Sequence, residues 1–283
     1  MSILNDNTGI PKPTLPGANQ HLEGDTRIAA FFDLDKTILA TASAMALSSP
    51  LVHAGVMSRW DSLRATLVQL PYLFTGADDE RMRSMMHALG ELTRGWDPQH
   101  VEKIVNNVTN STIAPLCYRE ALALIDQHRL LGHHVVIASA SPLEIVRPIA
   151  HLLSIPDALS TIVGQGQDGL ADGTITHFNH GEGKAQACAA LASERGWDLN
   201  ESFAYSDSIS DLPMLELVGN PRAVNPDRAL AAVAREREWP TLSFTRTVRI
   251  RGRKRARLAR AMTPIALAGG IGIGYWARRS IPS

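Results

Sequence analysis

Ile28-Ala29-Ala30-Phe31-Phe32-Asp33-Leu34-Asp35-Lys36-Thr37 is an apolar run that ends abruptly in two aspartates one residue apart, followed by a threonine. A short apolar run without alternation reads as a strand buried on both faces, as in a parallel sheet. Its C-terminal end is then the ligand edge of an open α/β sheet. Extended backbone sends residues i and i+2 to the same side, so Asp33 and Asp35 point in roughly the same direction. Like charges so close repel unless a cation sits there or one group holds a proton. A carboxylate nucleophile beside a carboxyl acid/base, with a hard cation between protein and phosphate, accounts for both. The bland alternative is a strand ending in a polar turn, with one Asp capping the next helix.

Three further polar elements follow at the ends of strands or starts of helices. His133-His134-Val135-Val136-Ile137-Ala138 reads as a second buried strand, ending in Ser139-Ala140-Ser141-Pro142 before a helix through His151. Gly181-Glu182-Gly183-Lys184 opens a helix to about Arg195. Phe203 to Ser206 is another strand, ending in Asp207-Ser208-Ile209-Ser210-Asp211. Ser160 to Gly164 and Arg222 to Val224 complete the strands, the latter stopped by Asn225-Pro226, and Asp172-Gly173 reads as a hairpin turn. Alternating strands and helices predict a doubly wound parallel sheet. Such a sheet gathers Asp33, Asp35, Ser139, Lys184, Asp207 and Asp211 at one edge.

Their chemistry is complementary. Phosphoryl transfer needs an in-line nucleophile, charge neutralisation on the equatorial oxygens and a proton for the leaving group. Asp33 is the candidate nucleophile and Asp35 the acid/base. Asp33, Asp35 and Asp207 supply the oxygen ligands that Mg²⁺ prefers. Thr37, Ser139, Ala140 and Lys184 are the candidate phosphate binders, with backbone N–H groups at a helix start favouring the anion. Asp211, one helical turn past Asp207, acts through water or Lys184.

These residues resemble the motifs of the haloacid dehalogenase-like hydrolase superfamily. Asp33-Leu34-Asp35-Lys36-Thr37 is similar to its first motif, Ser139 to the second, Lys184 to the third and Asp207 to Asp211 to the acidic fourth. The resemblance spans about residues 28–240. It implies a Rossmann-like α/β core, residues 27–40 and 113–240, and a Mg²⁺-dependent phosphomonoesterase working through an aspartyl-phosphate. Residues 41–112 lack a strand pattern and read as helices at Ala44 to Ala54, Ser58 to Leu70, Asp78 to Leu89 and Pro98 to Val108. An all-helical insert there resembles the small helical cap of the phosphoserine phosphatase-like branch. Three positions depart from that branch: Lys36 where many members carry Gly, Ala42 where phosphoserine phosphatases carry a Glu, and Ser210 in place of Asn. The expected substrate is a small phosphorylated metabolite or a lipid-related phosphate. A phosphotransferase or mutase on the same core, and a regulatory module on a retained fold, are the competing classes.

Composition adds a charge asymmetry. The 283 residues are neutral overall, yet residues 1–245 hold 18 Lys and Arg against 28 Asp and Glu. The remaining 10 basic residues all follow, with no acid among them. The tail is therefore a separate functional object: a basic linker over 241–260, then the largely apolar 261–283. Ala261 to Ala277 is 17 residues without a charge, near the lower limit for a span, and Tyr275-Trp276 suits an interface. The expectation is a cytoplasmic protein whose C-terminus meets an anionic membrane surface; no specific nucleic-acid partner is indicated. Residues 1–26 are polar, lack the apolar core of a secretory signal and read as disordered. Cys117 and Cys188 suit a reducing compartment, and Arg59, Arg64, Arg81, Arg83 and Arg94 read as solvated charges of the insert. His133 and His134 read as strand residues, not as metal ligands.

Overall fold

Ala29–Phe32 forms strand β1, paired with a strand on either side, and each of its four residues is buried because helices cover both faces of the sheet. The computed structural model describes residues 27–58 and 79–248. β1 pairs in parallel with β2 (His134–Pro142), Phe32 opposite Ile137, and with β5 (Phe203–Ser206), Phe32 opposite Tyr205. β3 (Asp157–Gln165) continues the sheet beyond β2, and β6 (Asn220–Val224) and β7 (Thr241–Leu242) continue it beyond β5, all parallel. β4 (Ala171–His177) closes one edge antiparallel to β3. The order is β4-β3-β2-β1-β5-β6-β7. The chain works outward from β1 to one side and returns to build the other, so the switch point lies beside β1.

Residue alternation along the central strands divides the core into two layers. Ala30, Phe32, Val135, Ile137, Phe203 and Tyr205 face α1 (Ser43–His53), α3 (Pro98–Val108), α4 (Arg119–Leu130) and α5 (Leu143–Leu152). Ala29, Phe31, Val136, Ala138 and Ala204 face α6 (Glu182–Arg195), α7 (Leu212–Glu216) and α8 (Arg228–Glu236). Phe31 and Phe32 are fully buried on opposite faces, each worth about 1.5–3 kcal/mol of burial. This is the doubly wound α/β core expected from sequence. Its central strands β1 and β5 are buried at every residue because neither face of the sheet meets water there.

Among the described residues between β1 and β2 the chain forms α1, then α2 (Asp79–Thr93), α3 and α4. The start of α3 is fixed as the sequence predicts, with Pro98 at its first position and Asp97 Oδ1 accepting from the N–H of Gln99 (3.0 Å) and of His100 (3.2 Å). The loop after α2 attaches to the sheet edge. Gly95 N–H donates to Ala171 O (2.7 Å) and Ala171 N–H donates to Trp96 O (2.8 Å).

Three expectations change. The turn of the β3–β4 hairpin is not at Asp172-Gly173, which lies inside β4, but at the earlier pair Asp168-Gly169. There Gly166 N–H donates to Leu170 O (2.9 Å), Leu170 N–H donates to Asp168 Oδ1 (3.1 Å), and Gly169 takes a φ of 78°. Gly173, at φ 85°, falls where the pairing shifts between Val163–Ile175 and Gln165–Ala171, so it serves a bulge. β2 also runs on through Pro142, with a register shift after Ala138, instead of stopping before Ser139. Finally, residues 241–248 belong to the core. β7 pairs with β6, Phe244 is buried, Arg119 N–H donates to Arg246 O (2.7 Å) and Val248 N–H to Cys117 O (3.0 Å). A basic linker thus starts no earlier than residue 249.

The remaining tail, residues 1–26, most of the expected Ser58 to Leu70 helix with Arg59 and Arg64, and the Arg81 side chain lie outside the described residues. Among the described residues no helix is long and apolar enough to cross a membrane. His133 and His134 enter the start of β2. His133 Nδ1 is 2.9 Å from Nδ1 of His128, whose Nε2 is 2.9 Å from the Tyr205 hydroxyl. Burial pushes the His128 pKa down to about 3, with His133 and Arg222 adding to the shift, so His128 is a neutral imidazole in this contact.

Candidate active site

β1 delivers Asp33 to the C-terminal edge of the sheet, where its N–H donates to Tyr205 O on β5 (2.9 Å). The next residues leave the sheet in a tight loop. Ile38 and Leu39 N–H both return to Leu34 O (3.0 and 2.9 Å), and Lys36 adopts a left-handed φ of 61°, a conformation that costs a non-glycine residue about 1 kcal/mol. This loop separates the two carboxylates. Asp33 stays at the strand end, while Asp35 Oδ1 accepts from the N–H of Ser43 (2.7 Å) at the start of α1.

Lys184 enters from the opposite layer. The chain turns into α6 at Gly181, whose φ of 54° suits glycine, and Lys184 follows in the first turn. Its ammonium lies 2.8 Å from Asp33 Oδ1 and 2.8 Å from Asp211 Oδ2, with the side chain only 2% exposed. Ser206 Oγ donates to the same Asp211 oxygen (2.7 Å). Asp207, at the end of β5, completes the edge and is itself buried.

Ser139 is buried at the corresponding point of β2. Its Oγ accepts from Ser141 N–H (3.2 Å), and Ser141 Oγ is 2.9 Å from Ser43 Oγ. Asp35, Ser43, Ser141 and Ser139 thus form one hydrogen-bonded series across the mouth of the site. Ala140 O accepts from Thr161 Oγ1 (2.7 Å). Thr37 is fully buried, and its hydroxyl has no partner among the described residues.

A model of the haloacid dehalogenase-like hydrolase family matches residues 30–216, the stretch that carries all these groups. The chain belongs to this family. A probable phosphatase of Mycobacterium tuberculosis is 44% identical over 86% of this chain and 84% of its own. The inhibition of morphological differentiation protein of Streptomyces azureus is 43% identical over 80% of this chain and 82% of its own. Among solved structures, a protein of unknown function from Bordetella pertussis Tohama I superposes with a TM-score of 0.66 at 24% identity, over 77% of this chain and 99% of that chain. This last likeness concerns the fold.

In this haloacid dehalogenase-like site, electrostatics follow from packing acids into a dry edge. Burial raises the Asp33 pKa well above the usual carboxylate range; Lys184 opposes the shift, while Asp211, Asp207 and Asp35 add to it. Asp35 is raised as well, again by burial, with the Ser43 N–H pulling the other way. Asp207 is pushed up to about 7 by burial, opposed most by Lys36 and reinforced by Asp211 and Asp227. For Lys184, burial favours loss of the proton, but Asp211 and Asp33 outweigh it and hold the ammonium charged.

Such crowded carboxylates call for a cation. Among the described residues no three His, Cys, Asp or Glu side chains come together as a metal-holding group. One reason is visible: Asp33 Oδ1 faces Lys184, and Asp35 Oδ1 faces Ser43. Mg²⁺ does not need three. It keeps several waters and is commonly held by one or two carboxylates together with substrate phosphate. Asp33 and Asp207 are two buried oxygen donors at one sheet edge, a set whose chemistry fits Mg²⁺.

Three supporting residues were missed from sequence. Ser43 anchors Asp35. Asn179, fully buried, donates from Nδ2 to Ser139 O (2.9 Å) and Leu159 O (3.1 Å), locking the Ser139 end of β2 to the loop before Lys184. His180 lies close enough to Lys184 and Asp211 to feel both charges, and burial lowers its pKa. A helix-start serine after the Asp-x-Asp loop and a polar Asn-His pair before Gly181 were the available signals.

Proposed function

We propose that this chain is a Mg²⁺-dependent phosphomonoester hydrolase that works through an aspartyl-phosphate on Asp33. The observation that carries this reading is the Lys184 ammonium held between Asp33 and Asp211 at the strand ends. A buried lysine bridging a strand-end carboxylate and a second acid orients that carboxylate and favours its ionised form against burial. The name of the mycobacterial relative, a probable phosphatase, supports the reaction class.

Asp33 attacks phosphorus in line with the ester oxygen. Asp35, raised by burial and anchored by Ser43, is suited to carry the proton that the departing alkoxide needs. The carboxylate left on Asp35 then takes a proton from water, which attacks the phosphorus of the acyl-phosphate, releasing inorganic phosphate and restoring Asp33. Lys184 and the Ser139 region with the Ala140 N–H hold the phosphate oxygens, joined by Thr37 in the loop after Asp35, whose buried hydroxyl has no partner among the described residues. Asp33 and Asp207, with the backbone carbonyl of Asp35, would hold Mg²⁺, which neutralises phosphate charge and favours ionised Asp33. The substrate in this reading is the phosphate ester of a small metabolite or a lipid-related alcohol.

The test is release of inorganic phosphate from a panel of phosphomonoesters with Mg²⁺ and no added acceptor alcohol. Asp33→Asn should reduce turnover by several orders of magnitude with an unchanged circular dichroism spectrum. Near-normal turnover in that folded variant refutes the assignment. Phosphate release only after an alcohol is supplied would indicate a transferase instead.

A further inference from the structure

We propose that Asp227 is a positioning residue for the Asp207 loop and that it strengthens cation binding there; this rests on the Mg²⁺ reading of the site. Asp227 lies between β6 and α8 and makes four hydrogen bonds, one of them accepted by its own carbonyl from Ala231 N–H (2.8 Å). Its Oδ1 accepts from Leu230 N–H (2.8 Å), which caps α8. Its Oδ2 accepts from Ile209 N–H (2.9 Å), and its own N–H donates to Asp207 O (2.7 Å). One residue therefore grips the loop on both sides of Ser208.

The far end of that loop is held separately, through Asp211 to Lys184 and Ser206. Within the loop the bonds are local: Ser208 N–H to Ser206 Oγ (3.2 Å) and Ser210 N–H to Ser208 Oγ (3.3 Å). Asp227 ties the Asp207–Ile209 part of the loop, which leaves β5, to a second rigid element, the first turn of α8. It also places a second negative charge behind Asp207, which favours a cation over no cation. Groups that orient a metal ligand in this way typically change metal affinity by about 10–100-fold when removed.

The two jobs of Asp227 separate by mutation. Asp227→Ser keeps an oxygen able to cap α8, since Ser and Asp cap comparably, but one short hydroxyl cannot also serve Ile209. Asp227→Asn keeps the length and removes the charge and one acceptor. Mg²⁺ alone is titrated calorimetrically into the full chain at fixed ionic strength, with urea midpoints recorded in EDTA. The expected result is Mg²⁺ affinity about 10-fold weaker in Asp227→Ser, a smaller loss in Asp227→Asn, and metal-free midpoints close to wild type. Asp207→Ala is the control. If it loses Mg²⁺ binding while both Asp227 variants stay within about twofold of wild type, this proposal is overturned and the metal reading stands. If Asp207→Ala binds Mg²⁺ like wild type, the metal reading itself fails. Should Asp227→Ser not fold, the Asp227→Asn titration decides.

Discussion

Replacing Lys184 with Met keeps a long unbranched side chain and removes one buried charge. The cost follows from what the ammonium touches: Asp33 and Asp211, each at 2.8 Å, with side chains only 10% and 4% exposed. Taking one partner from a buried ion pair costs about 3–5 kcal/mol, because the other charge is left uncompensated. Here two carboxylates are left, and the Ser206 hydroxyl on Asp211 offsets only part of that. We expect a loss of about 3–5 kcal/mol at pH 8 in EDTA, a large share of the stability of an ordinary domain. The loss should shrink at pH 5. Burial already raises Asp33, and Lys184 is what opposes it; without Lys184 the folded variant takes a proton there that the unfolded chain, titrating near ~3.9, releases. Extra protons bound to the folded state mean stability that falls as pH rises. Mg²⁺ should restore part of the loss at pH 8 by returning a cation to Asp33. Urea unfolding followed by tryptophan fluorescence at both pH values measures this. A loss below about 1 kcal/mol at pH 8, or an equal loss at pH 5, would refute the account of the buried bridge.

Three other outcomes are expected. In metal-free protein Asp207 holds its proton up to about 7 because of burial, so its contribution to stability falls as pH rises from about 4 to about 7, by no more than about 1.4 kcal/mol per unit; urea midpoints in EDTA should show the trend in wild type and a shallower one in Asp207→Asn, where raised Asp33 and Asp35 remain. A chain ending at Val248 should keep its melting temperature and activity on a soluble ester. One ending at Phe244 should melt several degrees lower, because it lacks the Arg246–Glu120 ion pair and the Val248–Cys117 hydrogen bond. Phosphoserine should not give the highest kcat/KM in a phosphomonoester panel, since Ala42, buried just before α1, offers no carboxylate to its ammonium group; phosphoserine ranking first would overturn this.

What could be read from sequence was the part carried by local pattern. The run from Ile28 to Phe32 is apolar on both faces because each face of this central strand packs under a helix layer, and that alone located Asp33. Asp97-Pro98 announced α3 because capping is satisfied within a few residues. The hairpin misled because two Asp-Gly pairs lie four residues apart. Both glycines take positive φ, and only the pairing with β3 distinguishes turn from bulge. Asn179 and Ser43 carried only weak local signals for a related reason. Their partners, Ser139 and Asp35, are distant in sequence or on another element, and neither residue type announces such a role. Asp227 lay between the two cases: its cap on α8 is local, whereas its bond to Ile209 depends on β5 and β6 lying side by side.

The attachment of Gly95 and Trp96 to β4 has a consequence for behaviour in concentrated solution. The outer rim of a sheet carries unpaired amides and carbonyls, a template on which another chain can add. Here Ala171, at the start of β4, already exchanges hydrogen bonds with Gly95 and Trp96, and the Gly173 bulge bends the rest of that strand. The opposite rim, β7, is two residues long and follows Pro240, which has no amide hydrogen to offer. Neither rim presents a long flat ladder. The helical insertion therefore guards the sheet against strand-by-strand aggregation, and substitutions that loosen the Gly95–Trp96 turn should register first as lost solubility.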